Sequence, residues 1–193
     1  MTCNLVRGWE KKLDMRNLLI MPLETREHHQ KAIEGLTQRY LEDPAFVALI
    51  IGGSIAKGTA HEGSDVDAIF VASEEEHARR TATGEMTIFP EGICDYPGGY
   101  VDGKIVNLEY LQAAAQYGSE PTRDSFTGAF VAYSRLPRLD EIIHRIPVYQ
   151  EQEQQDKIES FYSQMELSRH YFWHGANHRQ DPYLRIRAHL LIR

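Results

Sequence analysis

Two short apolar runs, joined through a glycine turn and an acidic pair, constrain this chain more than any other feature. The stretch from Phe46 to Val71 reads FVALIIGGSIAKGTAHEGSDVDAIFV. Phe46 to Ile51 is short, rich in β-branched residues and closed by Gly52 and Gly53, which predicts a buried strand rather than a helix. Asp65 and Asp67 stand two apart at the head of a second apolar run, Val66 to Val71. Residues two apart on a strand point to the same face, so both carboxylates project together from the rim of a sheet. At that spacing they repel unless a cation lies between them, and a hard divalent metal suits two oxygen ligands.

The turn ahead of them supplies a complementary half. Gly52, Gly53 and Ser54 let backbone amides and a hydroxyl converge on an anion where a helix begins at Ser54 or Ile55. An anion cradle facing a metal-binding carboxylate pair is what phosphoryl or nucleotidyl transfer requires. Two other motifs fail on inspection. A Walker A loop needs its lysine after the second glycine, whereas Lys57 precedes Gly58. An EF-hand needs a third oxygen ligand at the next alternate position, where this chain has Ile69.

Gly-Gly-Ser, ten residues, then Asp-x-Asp resembles the signature of the polymerase-beta-like nucleotidyltransferase superfamily. The fuller GGSIAKGTAHEGSDVDAIFV is similar to its small bacterial members, the aminoglycoside nucleotidyltransferases and the antitoxin-type minimal nucleotidyltransferases. The likeness covers residues 24–110 and fades afterwards. It implies an α+β fold, a mixed sheet flanked by helices, followed by a helical C-terminal part. It also implies metal-dependent transfer of a nucleoside monophosphate from an NTP, ATP first among them, to a hydroxyl of a small molecule or protein, with release of pyrophosphate. Asp65 and Asp67 would hold Mg2+, or Mn2+ in its place, and Gly52, Gly53, Ser54, Lys57 and Ser64 would line the nucleotide. Family members carry a third carboxylate on a later strand, and Glu109 is the matching position, as metal ligand, general base or both. Read as a strand, Lys104 to Leu111 puts Ile105, Asn107 and Glu109 on one unusually polar face. Asp102 is the alternative, although Asp102-Gly103 reads as the turn that opens that strand. The competing class is an antitoxin-like or regulatory module of the same fold, paired with a helical protein partner.

A net charge of −7 argues against a nucleic-acid scaffold, though not against a nucleotide held by a metal and a few amides. Cys3 and Cys94 are too few for a disulfide framework, which points to a reducing cytoplasm. Charges at Arg7, Glu10, Lys11, Lys12, Asp14 and Arg16 interrupt any signal-peptide core, and no window approaches a membrane span. Cys94 has no base marked out beside it and reads as incidental.

The chain divides into an N-terminal extension over 1–23, a nucleotidyltransferase core over 24–111 and a helical region over 112–193. Leu13, Leu18, Leu19 and Ile20 could form a short packing helix in the extension. Ile33, Leu36, Tyr40 and Leu41 form the stripe of a helix that ends at Asp43-Pro44, with His28 and His29 expected on its surface. The change from strand-like to helical periodicity near Leu111 predicts a central mixed sheet of about four or five strands and a helical remainder. Within that remainder, Asp124 to Ser134 reads as helix, as do Asp156 to His174 and Pro182 to Ile192. The last helix reaches Arg193 with neither cap nor turn, which predicts that the natural chain continues. His170, His174 and His178 follow at four-residue spacing, and no carboxylate or cysteine joins them as a zinc set. Arg169 and His174 also match the short Arg-x4-His pattern of HEPN-type ribonucleases, a pattern common by chance. Neither the acceptor nor the oligomeric state is written in the sequence; a homodimer is one expectation.

Overall fold

The computed structural model describes residues 25–192. The expectations for the extension over 1–23, for Cys3 and for the chain end at Arg193 lie outside the described residues. Helix α1 (Glu27–Leu41) buries Ile33, Leu36 and Tyr40 of the stripe legible in the sequence, together with Ala32, and half-buries Leu41. It stops before Asp43, whose Oδ1 accepts from the Ala45 amide at 2.9 Å and turns the chain into β1 (Phe46–Ile51). A four-residue helical turn, α2 (Gly53–Ala56), then leads to β2 (Val66–Ala72).

The sheet has five strands in the order β3-β4-β2-β1-β5, with β3 (Thr87–Ile88), β4 (Val101–Val106) and β5 (Phe130–Ser134). Strand β4 runs parallel to β2 and the other neighbours are antiparallel, so the expected mixed α+β sheet is the one that forms. On one face α1 packs Ile33, Leu36 and Tyr40 against Leu49, Ile51, Ala68 and Phe70. On the other, α4 (Leu108–Tyr117) and α6 (Leu139–Arg145) pack Leu111, Ala115, Leu139 and Ile143 with Ala48, Ile50 and Val71. Cover on both faces is why β1 is continuously apolar instead of alternating. Each such aliphatic or aromatic side chain contributes about 1.5–3 kcal/mol when fully buried.

Four local expectations are corrected. Residues 107–111 are not strand: the Asn107 side chain accepts from the Tyr110 amide and starts α4, which places Glu109 in that helix's first turn. Asp102 and Gly103 are not a turn but the middle of β4, where Gly103 has no room for a side chain because a Cβ would lie 2.5 Å from Ile88. Residues 124–134 are not one helix: α5 (Glu120–Ser125) ends there and Phe130–Ser134 pairs with β1 as an edge strand, so the sheet draws on residues beyond 111. Buried Arg123 anchors α5 by donating to the carbonyls of Gly118, Ile146 and Val148 at 2.7–2.9 Å. The charged run after β2 forms the solvated α3 (Glu74–Thr83), where Ser73 accepts from Glu76 N–H and Arg79 and Arg80 pair with Glu76.

The fourth correction is His29, expected on the surface and in fact wholly buried, with its ring 5.2 Å from Tyr96 and 4.2 Å from His28. Burial, and then the neighbouring His28, push its imidazole below the ordinary range; Arg26 and His61 act in the same direction and the Ser64 backbone offsets this only in part. The unfolded chain therefore binds a proton that the native state resists. Stability from this group is present above about pH 6.5 and is lost as pH falls below that value towards the lowered native pKa. Urea unfolding between pH 8 and pH 5 should show a decline that His29→Leu flattens; identical slopes would remove His29 as the cause.

One compact unit ends at Val148 and a second begins at Tyr149. The second comprises α7 (Gln154–Leu167), a π-helical segment Ser168–Trp173, α8 (His174–Arg179) and α9 (Pro182–Ile192). Trp173 meets His189 edge-on at 5.0 Å, and Arg187 lies over Phe172 at 4.8 Å. His170 stacks with His174 and, against the expectation that no carboxylate joins the histidines at their spacing, pairs with Glu166 four residues before it at 2.9 Å; His170, His174 and His178 are in no metal-ligand group among the described residues.

Candidate active site

Asp67 and Asp102 hang from two adjacent parallel strands, and Asp65 immediately precedes the first of them. Asp67 of β2 lies opposite Asp102 of β4, and Asp65 stands one alternate position before β2's Asp67. Their carboxylates converge: one oxygen from each of Asp65, Asp67 and Asp102 lies within 4.8 Å of the others. All three are half-buried. Asp67, between the other two, is held above the usual carboxylate range by burial first, then by Asp65 and Asp102, with Lys104 and Lys57 opposing. The Asp65 carboxylate accepts from the Tyr100 hydroxyl, which raises that phenol's pKa.

The glycine turn is locked onto this cluster. Gly52 N–H donates to the Asp67 carbonyl at 3.0 Å, so the end of β1 is tied to the acidic strand. Gly53 has φ +62, and a Cβ there would fall 1.7 Å from Asp67 Oδ2 and 2.8 Å from Asp67 Cβ. Only glycine lets the backbone come this near the carboxylate. Residues 30–119 match the family model described as a nucleotidyltransferase domain. That stretch, 90 of the 193 residues, is similar to a nucleotidyltransferase domain. The match is consistent with the polymerase-beta-like superfamily that the motif resembles. No curated protein matches the chain.

Around the cluster the chain encloses a cavity of about 200 Å³. Gly52, Gly53, Asp67 and Asp102 form its polar wall; Ile69, Val106 and Phe126 form the apolar one. Of the residues singled out from sequence, the structure brings together Asp65, Asp67, Gly52 and Gly53. Ser54 follows in the first turn of α2, half-buried. Lys57 turns to Asp124, pairing at 2.9 Å. Ser64 is buried, and its Oγ accepts from the His61 amide at 2.9 Å, which shapes the loop into β2. Glu109 is exposed on α4 and is not among the three converging carboxylates.

The third carboxylate is Asp102, the alternative in the sequence, which ranks behind Glu109 there because Asp-Gly is a strong turn signal. The usable signal was the alternation of Val101, Gly103 and Ile105 against Asp102 and Lys104, which is a strand pattern with both polar groups on one face. Three hard carboxylate oxygens at this separation fit a divalent cation. No helix among the described residues is long and apolar enough to cross a membrane.

Proposed function

We propose that this chain transfers a nucleoside monophosphate from an NTP, ATP first, to a hydroxyl of an acceptor and releases pyrophosphate. The observation that carries the reading is the convergence of Asp65, Asp67 and Asp102 against the Gly52-Gly53 turn. Asp65, Asp67 and Asp102 would hold Mg2+, or Mn2+ in its place. A bound divalent ion supplies charge neutralisation and orientation for in-line attack at phosphorus.

The protein's own groups account for the rest. Gly52 and Gly53 line the cavity, and with Ser54 at the start of α2 they would offer amides and a hydroxyl to the NTP phosphates. Half-burial of the three aspartates excludes part of the water, so the charges there act through a lower dielectric than at an open surface. Asp102, as the third carboxylate, would take the acceptor's hydroxyl proton, the task the sequence pattern offered to Glu109. The apolar wall of Ile69, Val106 and Phe126 gives a planar or aliphatic part of a substrate a surface to pack on.

The test is a thermal melt with magnesium and each NTP at millimolar concentration, coupled to pyrophosphate release with a panel of hydroxyl acceptors. Binding only to the native state raises the melting temperature by mass action; at about a hundred times Kd the gain is roughly 2.7 kcal/mol. Identical melts with and without Mg-NTP would count against the site. A raised melt with no turnover on any acceptor would instead favour the regulatory module.

A further inference from the structure

We propose that Lys104 is the resident counter-ion of the acidic cluster, holding Asp102 in the absence of a divalent ion and yielding it when one binds. This role depends on the metal-binding role proposed above for the three aspartates. Lys104 Nζ lies 2.6 Å from Asp102 Oδ1. The two are at alternate positions of β4, so their side chains leave the strand on one face. Across the strand, Lys104 faces Ile69 and not a carboxylate, so the ammonium has Asp102 as its partner on that face.

Electrostatics makes such a partner necessary. Three carboxylates within 4.8 Å carry a formal charge of minus three at neutral pH, and the half-buried setting reduces screening. The other lysine acting on Asp67 is Lys57, whose ammonium is bonded 2.9 Å away to Asp124. Of these two lysines, Lys104 is the one in contact with the cluster. It is also free to leave: its side chain is 54% exposed, against 24% for Asp102. A flexible four-carbon stem carrying a strongly hydrated ammonium can swing to water at little cost, which a rigid guanidinium fork does less readily. Metal and ammonium thus compete for one carboxylate, and Lys104 sets how tightly the ion is held. Lys104 is a positioning residue, acting on the metal through Asp102.

The experiment titrates the full chain with Mn2+ in the absence of nucleotide and reads free ion by electron paramagnetic resonance. Lys104→Met should tighten Mn2+ binding on the order of tenfold, while Lys104→Arg, which keeps the charge on a guanidinium that leaves less readily, should bind Mn2+ no more tightly than wild type. Without metal, Lys104→Met should melt below wild type, and saturating Mn2+ should close that gap. A purely structural lysine would leave the gap open in both states. Mn2+ affinity equal to wild type in Lys104→Met, or shifted alike in the Met and Arg variants, would overturn the role of Lys104 while leaving the metal site standing. The Asp65→Asn/Asp67→Asn double variant separates the two failures. If it binds Mn2+ as wild type does, the metal-site reading falls and the role of Lys104 falls with it.

Discussion

Asp67→Asn should leave the chain folded and slow nucleotidyl transfer by about a hundredfold or more. Asp67 is the central carboxylate of three, half-buried and already held above the usual range by burial and by its two acidic neighbours. Asparagine keeps its shape and removes one negative charge. Repulsion in the metal-free protein therefore falls, and the metal-free melting temperature should stay level or rise. The same change deprives a metal of an anionic ligand beside the reacting phosphate, where developing charge is greatest. Stability and activity should thus move in opposite directions, a pattern that general misfolding cannot produce. Asp102→Asn should slow transfer alike, although it also removes the ion pair with Lys104 and so carries no expected gain in metal-free stability, whereas Glu109→Gln, on the exposed first turn of α4, should turn over near the wild-type rate. Circular-dichroism melts and steady-state pyrophosphate release on the same preparations decide it. A Glu109→Gln defect larger than that of Asp102→Asn would restore the helix residue to the mechanism.

Gly53→Ala should be strongly destabilising. The left-handed conformation alone costs a residue with a side chain about 1–2 kcal/mol. Here the added methyl also meets Asp67 at 1.7 Å from Oδ2 and 2.8 Å from Cβ, so no change of rotamer clears it. Either the turn or β2 must move, and the total loss should be on the order of 3 kcal/mol. Because the turn and the acidic cluster are displaced together, Mg-NTP should no longer raise the melting temperature. Gly58 is the internal control: it has φ +70 and nothing within 4 Å of the place a methyl would occupy, so Gly58→Ala carries the backbone cost alone. Urea unfolding of the two variants measures the difference. Equal losses would mean that the approach of Gly53 to Asp67 is not what fixes the turn.

The motif region was legible because its physics is local. Strand β1, the glycine turn and the paired aspartates of β2 are each specified by residues a few positions apart, through period-two alternation and the freedom of glycine. The stripe of α1 is equally local, since its buried positions repeat at helical spacing. Three features were decided elsewhere. Asp102-Gly103 carries a turn signal, yet parallel pairing with β2 draws it into the sheet, and the absent side chain of Gly103 lets Ile88 and Phe70 close over it. Glu109 matches a family position only while 107–111 is strand; the Asn107 cap, together with burial of Leu111 and Ala115 on the sheet, makes it helix. His29 looks polar and peripheral in sequence, and is buried because Tyr96 arrives from a loop far along the chain. The sequence by itself determined which carboxylate pair and which turn face each other. Tertiary structure decided which third carboxylate joins them, because that choice depends on the register of two strands thirty-five positions apart, Asp67 opposite Asp102.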